Sequence, residues 1–386
     1  MSKRSLPKVL HPASLCTANE HDPQLGMSSP IYTSTAFHYL DEGAQPYPRY
    51  FNTPNHDSVA KKIAALESAE AAIVFSSGMA AISTSLMALL KPGDHVLCMG
   101  GLYGGTHAFV THELTRWGVE HSFAEPNVAT FESNIRPETA LIYVESPNNP
   151  LMQVVDLKEL SAFARSSGVT TMIDNTFATP INQRPIEHGI DIVLHSGTKY
   201  LGGHSDLSSG VVAGPAPLID RIMTQSRRYG GNLNPTDLYQ LERSIATLDV
   251  RVQRQNENAL AIAKHLNEDE RVAKVLYPGL EDHPGHQVAR SQMDGFGGML
   301  SLELAESVSV KTFLNSLQLI TPAMSLGGVE STVTVPAYTS HLAMSEAERK
   351  ALGITEALIR FSVGVEAKED LIADLQRALS ASEVGK

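Results

Sequence analysis

Between residues 71 and 214 the chain alternates short, unbroken apolar runs with stretches of helical or loop character. The runs are 71–75, 95–99, 140–144, 170–173, 190–194 and 210–213. Continuous apolar runs of this length, with helices between them, predict strands buried on both faces. The arrangement is that of an α/β domain with a mostly parallel sheet. Such sheets bind ligands beyond the carboxyl ends of their strands, which is where chemistry is expected. Ahead of this region, residues 1–56 are rich in Pro, Ser, Thr and His and carry no sustained helical period. They read as an extended arm whose Ile31, Tyr32, Phe37 and Tyr39 need a surface to pack on. A helix is predicted from Asp57, capped by that side chain, with Val59, Ile63 and Leu66 on one face.

Beyond the α/β region a long helix is predicted from Pro235 through Arg243 towards Leu266. Strands at 298–304 and 358–363, with helices at 310–317 and 368–379, predict a smaller C-terminal α+β domain. The expected organisation is an arm at 1–56, an α/β domain at 57–245 and an α+β domain at 246–386. A length of 386 residues exceeds what one core usually supports, in keeping with more than one domain.

Composition narrows the classes. No apolar run reaches the roughly 20 residues that cross a bilayer, and no apolar stretch follows Lys3 and Arg4 to suggest a signal peptide. A cytoplasmic enzyme is expected. The net charge of −12 argues against a nucleic-acid partner. The two cysteines, Cys16 and Cys98, offer neither a disulfide framework nor zinc spacing. His283 and His286 flank a Pro-Gly pair and read as surface residues, so no metal is expected.

Five segments carry candidate chemistry. In His195-Ser-Gly-Thr-Lys-Tyr200, Lys199 follows a buried strand between the hydroxyls of Ser196 and Thr198. Burial would favour the neutral amine that Schiff-base chemistry needs, and the hydroxyls could meet a phosphate; a solvated loop lysine is the plainer alternative. Asp174, with Thr176 in the same segment, ends another strand. Its carboxylate could hold a protonated ring nitrogen, or merely form a turn. Ser76, Gly78 and Met79 lie where a strand turns into a helix, and exposed amides there make an anion site. Tyr103, set among glycines, could lie over a planar ring. Arg360 interrupts an apolar strand and wants a partner such as a carboxylate. Taken together they make one site, with anion cradle, stacking ring, nitrogen partner, lysine and carboxylate clamp. No Walker or Gly-x-Gly-x-x-Gly pattern supports nucleotide binding.

These segments, with Glu145-Ser-Pro-Asn-Asn-Pro150, Tyr277-Pro-Gly-Leu280 and Ser325-Leu-Gly-Gly-Val-Glu-Ser331, resemble the cysteine/methionine-metabolism (trans-sulfuration) family of pyridoxal-phosphate enzymes. The resemblance runs from about Ser29 to Leu379. That family includes cystathionine γ-synthase, cystathionine γ- and β-lyases and methionine γ-lyase. The resemblance implies the aspartate-aminotransferase (type I) fold, pyridoxal 5′-phosphate as cofactor, and a homotetramer built as a dimer of dimers. It implies Lys199 and Tyr103 as catalytic residues, and Asn149, Ser325 and Arg360 around the substrate. Tyr47 and Arg49 would reach the cofactor phosphate of a neighbouring subunit, although the segment after them, Tyr50-Phe-Asn-Thr-Pro54, departs from the family pattern.

Family members that bind the distal charged end of cystathionine carry charged residues where this chain has Pro46, Ala108 and Met324. The stretch Tyr103-Gly-Gly-Thr-His-Ala-Phe109 looks like methionine γ-lyases, although Gly105 stands in place of their cysteine. The expectation is a carbon–sulfur lyase performing α,γ-elimination on methionine, homocysteine or cystathionine. The alternatives are γ-replacement on an O-acylhomoserine, a cystathionine β-lyase, or a catalytically silent cofactor-binding protein.

Overall fold

The computed structural model describes residues 10–18, 26–40, 45–342 and 345–384. Seven strands form one sheet: β1 (Ala71–Phe75), β2 (His95–Met99), β3 (Glu120–Ala124), β4 (Thr139–Glu145), β5 (Thr170–Asp174), β6 (Ile192–His195) and β7 (Gly210–Gly214). Their order is β1-β7-β6-β5-β4-β2-β3. Neighbours from β3 to β6 run parallel. Only β7 runs against both of its neighbours, so β1 again points with the rest. The expected α/β sheet is present, and its strands other than β7 end on one edge.

A second sheet holds β8 (Val272–Leu276), β9 (Met299–Leu304), β10 (Thr321–Pro322), β11 (Thr332–Thr334) and β12 (Leu358–Ser362), in the order β10-β11-β12-β9-β8. The helices Leu248–Asn267 and Lys368–Ala381 bury Ile262, Leu266, Leu371 and Leu375 against it. A further core, containing Val59, Ile63, Tyr200, Leu241, Val252, Met299 and Leu358, joins the two sheets. Arg360 on β12 is thereby held facing the ends of β4 to β6.

Several local expectations need correction. The helix after the arm starts at Pro54, behind Thr53, and Asp57 lies in its first turn instead of capping it. Proline is suited to the first helical position, where its missing N–H costs nothing. The long helix after Pro235 is two helices, Pro235–Ile245 and Leu248–Asn267. At the break, the Ser244 carbonyl accepts from the Thr247 amide at 3.2 Å and from Arg251 at 3.0 Å, and Arg251 also donates to Thr247 Oγ1 at 3.2 Å. The edge strand β3 carries polar Glu120, His121 and Ser122 and pairs only with β2, which hid it from an apolar-run search. His283 and His286 are buried, not surface residues. His283 Nδ1 accepts from the Gly285 amide, and His286 Nδ1 lies 2.8 Å from the Pro278 carbonyl.

Among the described residues no helix is long and apolar enough to cross a membrane. No described group of His, Cys, Asp and Glu could hold a metal ion. Residues 26–40 form neither helix nor strand, and Tyr39 and Leu40 are largely exposed.

Candidate active site

The strand ends converge on a cavity of about 700 Å³. Glu145 closes β4 and Asp174 closes β5, side by side in register. Just beyond β6 come Ser196, Thr198 and Lys199; beyond β1 come Ser77 and Gly78; beyond β2 comes Tyr103. From the second sheet, Arg360 and the segment around Ser325 complete the wall.

Lys199 Nζ donates to Ser325 Oγ at 2.9 Å. Its amine is held below the usual lysine range, first by burial and then by the Arg360 charge, while Asp174 pulls the other way. That favours the neutral, nucleophilic form. Asp174 is raised by burial, opposed by Thr176 and by the charges of His195 and Lys199. Both the Thr176 amide, at 3.0 Å, and its hydroxyl donate to Asp174 Oδ1. The same hydroxyl oxygen accepts from the Ser196 amide at 2.8 Å, tying the two strand ends together. Behind them, His195 Nε2 lies 2.5 Å from Glu67 Oε1, a buried pair.

Arg360 is 5% exposed and donates to Asn149 Oδ1 at 3.1 Å and the Ser325 carbonyl at 3.0 Å. Burial lowers its guanidinium to about 10, and its buried Nε has no hydrogen-bond partner among the described residues. Ser325 itself sits at φ +77°, a left-handed conformation uncommon for serine, with its carbonyl and hydroxyl both engaged. At the other end of the cavity, Ser77 caps the helix Gly78–Leu89 by accepting from the Ala80 amide at 3.1 Å. A Cβ on Gly78 would stand 2.9 Å from Ser196 Cβ, so the glycine lets this helix start against the β6 loop.

Of the residues that the sequence singled out, Gly78, Met79, Tyr103, Asn149, Asp174, Thr176, Ser196, Thr198, Lys199, Ser325 and Arg360 all line the cavity. Ser76 does not; its amide bonds the Gly231 carbonyl, and Ser77 takes the place at the wall. Tyr47 and Arg49 lie outside this chain's own cavity. They flank or sit in the short turn Pro48–Tyr50, where Arg49 donates to the Arg227 carbonyl and lies over the Tyr50 ring. Sequence reasoning assigned no role to Glu145, Ser77, Phe177, Thr339 or Ser340, which also line the cavity. Glu145 had a readable signal, a carboxylate ending an apolar run, the same one that marked Asp174.

The donor set fits pyridoxal phosphate. A helix N-terminus with the Ser77 and Ser196 hydroxyls beside it suits a phosphate, while the Thr198 hydroxyl at that end is held by Ser209, donating to its carbonyl at 3.1 Å. A carboxylate suits the ring nitrogen, a depressed lysine amine suits covalent attachment, and the Arg360 guanidinium in the cavity wall suits a substrate anion.

Comparison with known proteins agrees. Residues 13–380 match the family described as Cys/Met metabolism PLP-dependent enzyme. The L-methionine gamma-lyase of Fusobacterium nucleatum subsp. nucleatum is 42% identical, over 92% of this chain and 93% of its own. The cystathionine beta-lyase of Lactococcus lactis subsp. cremoris is also 42% identical, over 92% of this chain and 94% of its own. The crystal structure of cystathionine gamma-lyase from Lactobacillus plantarum complexed with L-serine superposes with a TM-score of 0.93 at 37% identity. That match covers 97% of this chain and 99% of the other, so the two share the type I fold of pyridoxal-phosphate enzymes. The chain belongs to the cysteine/methionine-metabolism family of pyridoxal-phosphate-dependent enzymes, alongside that family's carbon–sulfur lyases.

Proposed function

We propose that the chain is a carbon–sulfur lyase performing α,γ-elimination on short sulfur amino acids of the methionine or homocysteine kind. The products are a 2-oxo acid, ammonia and a thiol. Relatives with different named substrates stand at equal identity, so identity does not choose among them. The observation supporting this reading is the charge distribution in the cavity. Among the described residues its charged lining is Glu145, Asp174, Lys199 and Arg360, none of them exposed. The exposed lining is Tyr103, Met324, Ser325 and Leu342, with no charge among them. A second amino-acid head group there would be partly desolvated without partners, at a cost that a small apolar thioether avoids.

Lys199 would hold the cofactor covalently, Asp174 its ring nitrogen, and Ser77, Ser196 and the amides of Gly78 and Met79 its phosphate, with Thr198 turning its hydroxyl from Ser209 to join them. When bound, that group supplies an electron sink for negative charge at the substrate Cα. Arg360 binds the substrate α-carboxylate through its fork, with Asn149 and the Ser325 carbonyl fixing the guanidinium plane. Lys199, its amine lowered by burial, takes the α-proton and then moves a proton at Cβ. Ser325 Oγ steers the amine between these positions. Tyr103, at the mouth, assists departure of the thiol.

We assign Tyr47 and Arg49 to the phosphate site of a neighbouring subunit in a cytoplasmic homotetramer, because they lie outside their own cavity. In this reading residues 1–56 serve as the contacting arm, 57–245 as the cofactor domain and 246–386 as the C-terminal domain. The test offers purified enzyme methionine, homocysteine, cystathionine, cysteine and acylated homoserines, and measures 2-oxo acid and thiol. Methionine or homocysteine should rival or exceed cystathionine in kcat/KM. A hundredfold preference for cystathionine, or turnover of acylated homoserine alone, would overturn the substrate reading.

A further inference from the structure

Asp174 has a companion that the reaction scheme leaves idle. Glu145 is buried, ends the adjacent parallel strand in register with Asp174, and lines the same cavity. Both of its oxygens face one donor, the Tyr103 amide, at 3.0 and 3.1 Å. Glu145 thus anchors the backbone of the aromatic residue at the cavity mouth from the cavity's buried end. Adjacent strands lie about 5 Å apart. Two carboxylates on neighbouring strand ends, both away from water, repel, so protonation of one of them is the expected outcome.

The surroundings decide where the proton sits. Asp174 Oδ1 accepts two hydrogen bonds from Thr176, and Asp174 faces Lys199 and His195, the latter paired with Glu67. Among the described residues Glu145 has only the Tyr103 amide as a hydrogen-bond donor; the other titratable groups bearing on it are Asp174, Tyr143 and Cys98, and none of these is a cation. Burial, and then the Asp174 charge, drive the Glu145 carboxyl well above its ordinary value, with the amide opposing.

We propose that Glu145 is a positioning residue that works as a neutral carboxylic acid, anchoring the Tyr103 backbone while leaving Asp174 the only anion of the pair. A carboxylate at Glu145 would compete with Asp174 for a protonated ring nitrogen, whereas a neutral acid keeps the Tyr103 anchor without that competition. The proposal rests on the cavity being the cofactor site, and loss of covalent cofactor capture in Lys199→Ala reports on that reading separately.

The test has two arms. In apoenzyme at neutral pH, the infrared difference between wild type and Glu145→Gln should show a protonated-carboxyl stretch in wild type only. In cofactor titrations of apoenzyme, Glu145→Gln, which keeps a neutral carbonyl acceptor, should hold the cofactor Kd within about threefold. Glu145→Ala, which loses the anchor, should raise it by about tenfold or more. A missing carboxyl band, or a Gln variant as impaired as the Ala variant, overturns the neutral-acid assignment. An Ala variant with unchanged Kd overturns the positioning role. Should Glu145→Ala fail to fold, the infrared band and the Gln titration decide the matter.

Discussion

Replacing Arg360 by alanine tests the substrate clamp and the tuning of Lys199 together. The guanidinium is buried, fixed by Asn149 and the Ser325 carbonyl, and has Nε unpartnered among the described residues. Losing a buried charged contact to a ligand carboxylate costs on the order of 2–5 kcal/mol. At about 1.4 kcal/mol per tenfold, kcat/KM should fall by about 30-fold to a few thousand-fold. Arg360 is also the cation that helps hold the Lys199 amine low. Without it the lysine takes up its proton at higher pH, so the acidic limb of the rate profile should move to higher pH. Arg360→Lys keeps a charge but loses the planar fork. It should lose most of the substrate affinity and move the limb less. The assay is 2-oxo acid release for all three proteins, with kcat/KM reporting the lost clamp and kcat, followed across pH, reporting the lysine released once substrate is bound. A loss under about threefold in Arg360→Ala, or a limb that does not move, would refute the reasoning.

Three further outcomes follow from other parts of the site and fold. Met324→Glu places an anion at the exposed mouth, where Met324 is 70% exposed. Such surface contacts are typically worth about 0.2–1 kcal/mol, so relative kcat/KM for cystathionine over methionine should rise by about 1.4-fold to fivefold and shrink in salt; no rise contradicts the mouth assignment. Gly78→Ala sets a Cβ 2.9 Å from Ser196 Cβ at the phosphate end. Overpacking of this kind costs about 1–3 kcal/mol, so cofactor Kd should increase by about fivefold to a hundredfold, and an unchanged Kd would show that this close approach does not shape the cradle. His56, His283 and His341 are each lowered to about 4 by burial. The unfolded chain protonates them near their ordinary value of about 6.5, so each contributes stability above that pH and loses it towards about 4, at up to about 1.4 kcal/mol per pH unit. The thermal midpoint should fall across that window, and His283→Asn should flatten the fall; a midpoint independent of pH there would contradict the assignment.

The buried strands were legible because they are unbroken apolar runs. β1 and β2 match their runs residue for residue, and β4 to β7 differ by one or two residues at an end. β3 was not legible, because an edge strand with polar residues carries no such signal. The break after Ile245 was hidden because the Ser244 carbonyl there is bonded by the Thr247 amide and by Arg251, a residue that lies in the next helix. At the site, position after a strand singled out Asp174 and Lys199, but could not tell Ser76 from Ser77. Which serine faces the cavity depends on the turn that Gly231 and Gly210 close around them. His283 and His286 looked solvated because a Pro-Gly pair separates them, yet the loop folds inward and uses both rings as hydrogen-bond partners.

The account turns on Lys199 as the covalent anchor of the cofactor. Borohydride reduction of the purified holoenzyme, followed by digestion and peptide mass spectrometry, tests this directly. The cofactor should be recovered fixed to the peptide containing Ser196-Gly-Thr-Lys-Tyr200, on Lys199 and on no other lysine. An adduct on a different lysine, or a Lys199→Ala protein that turns over at the wild-type rate, would contradict the account.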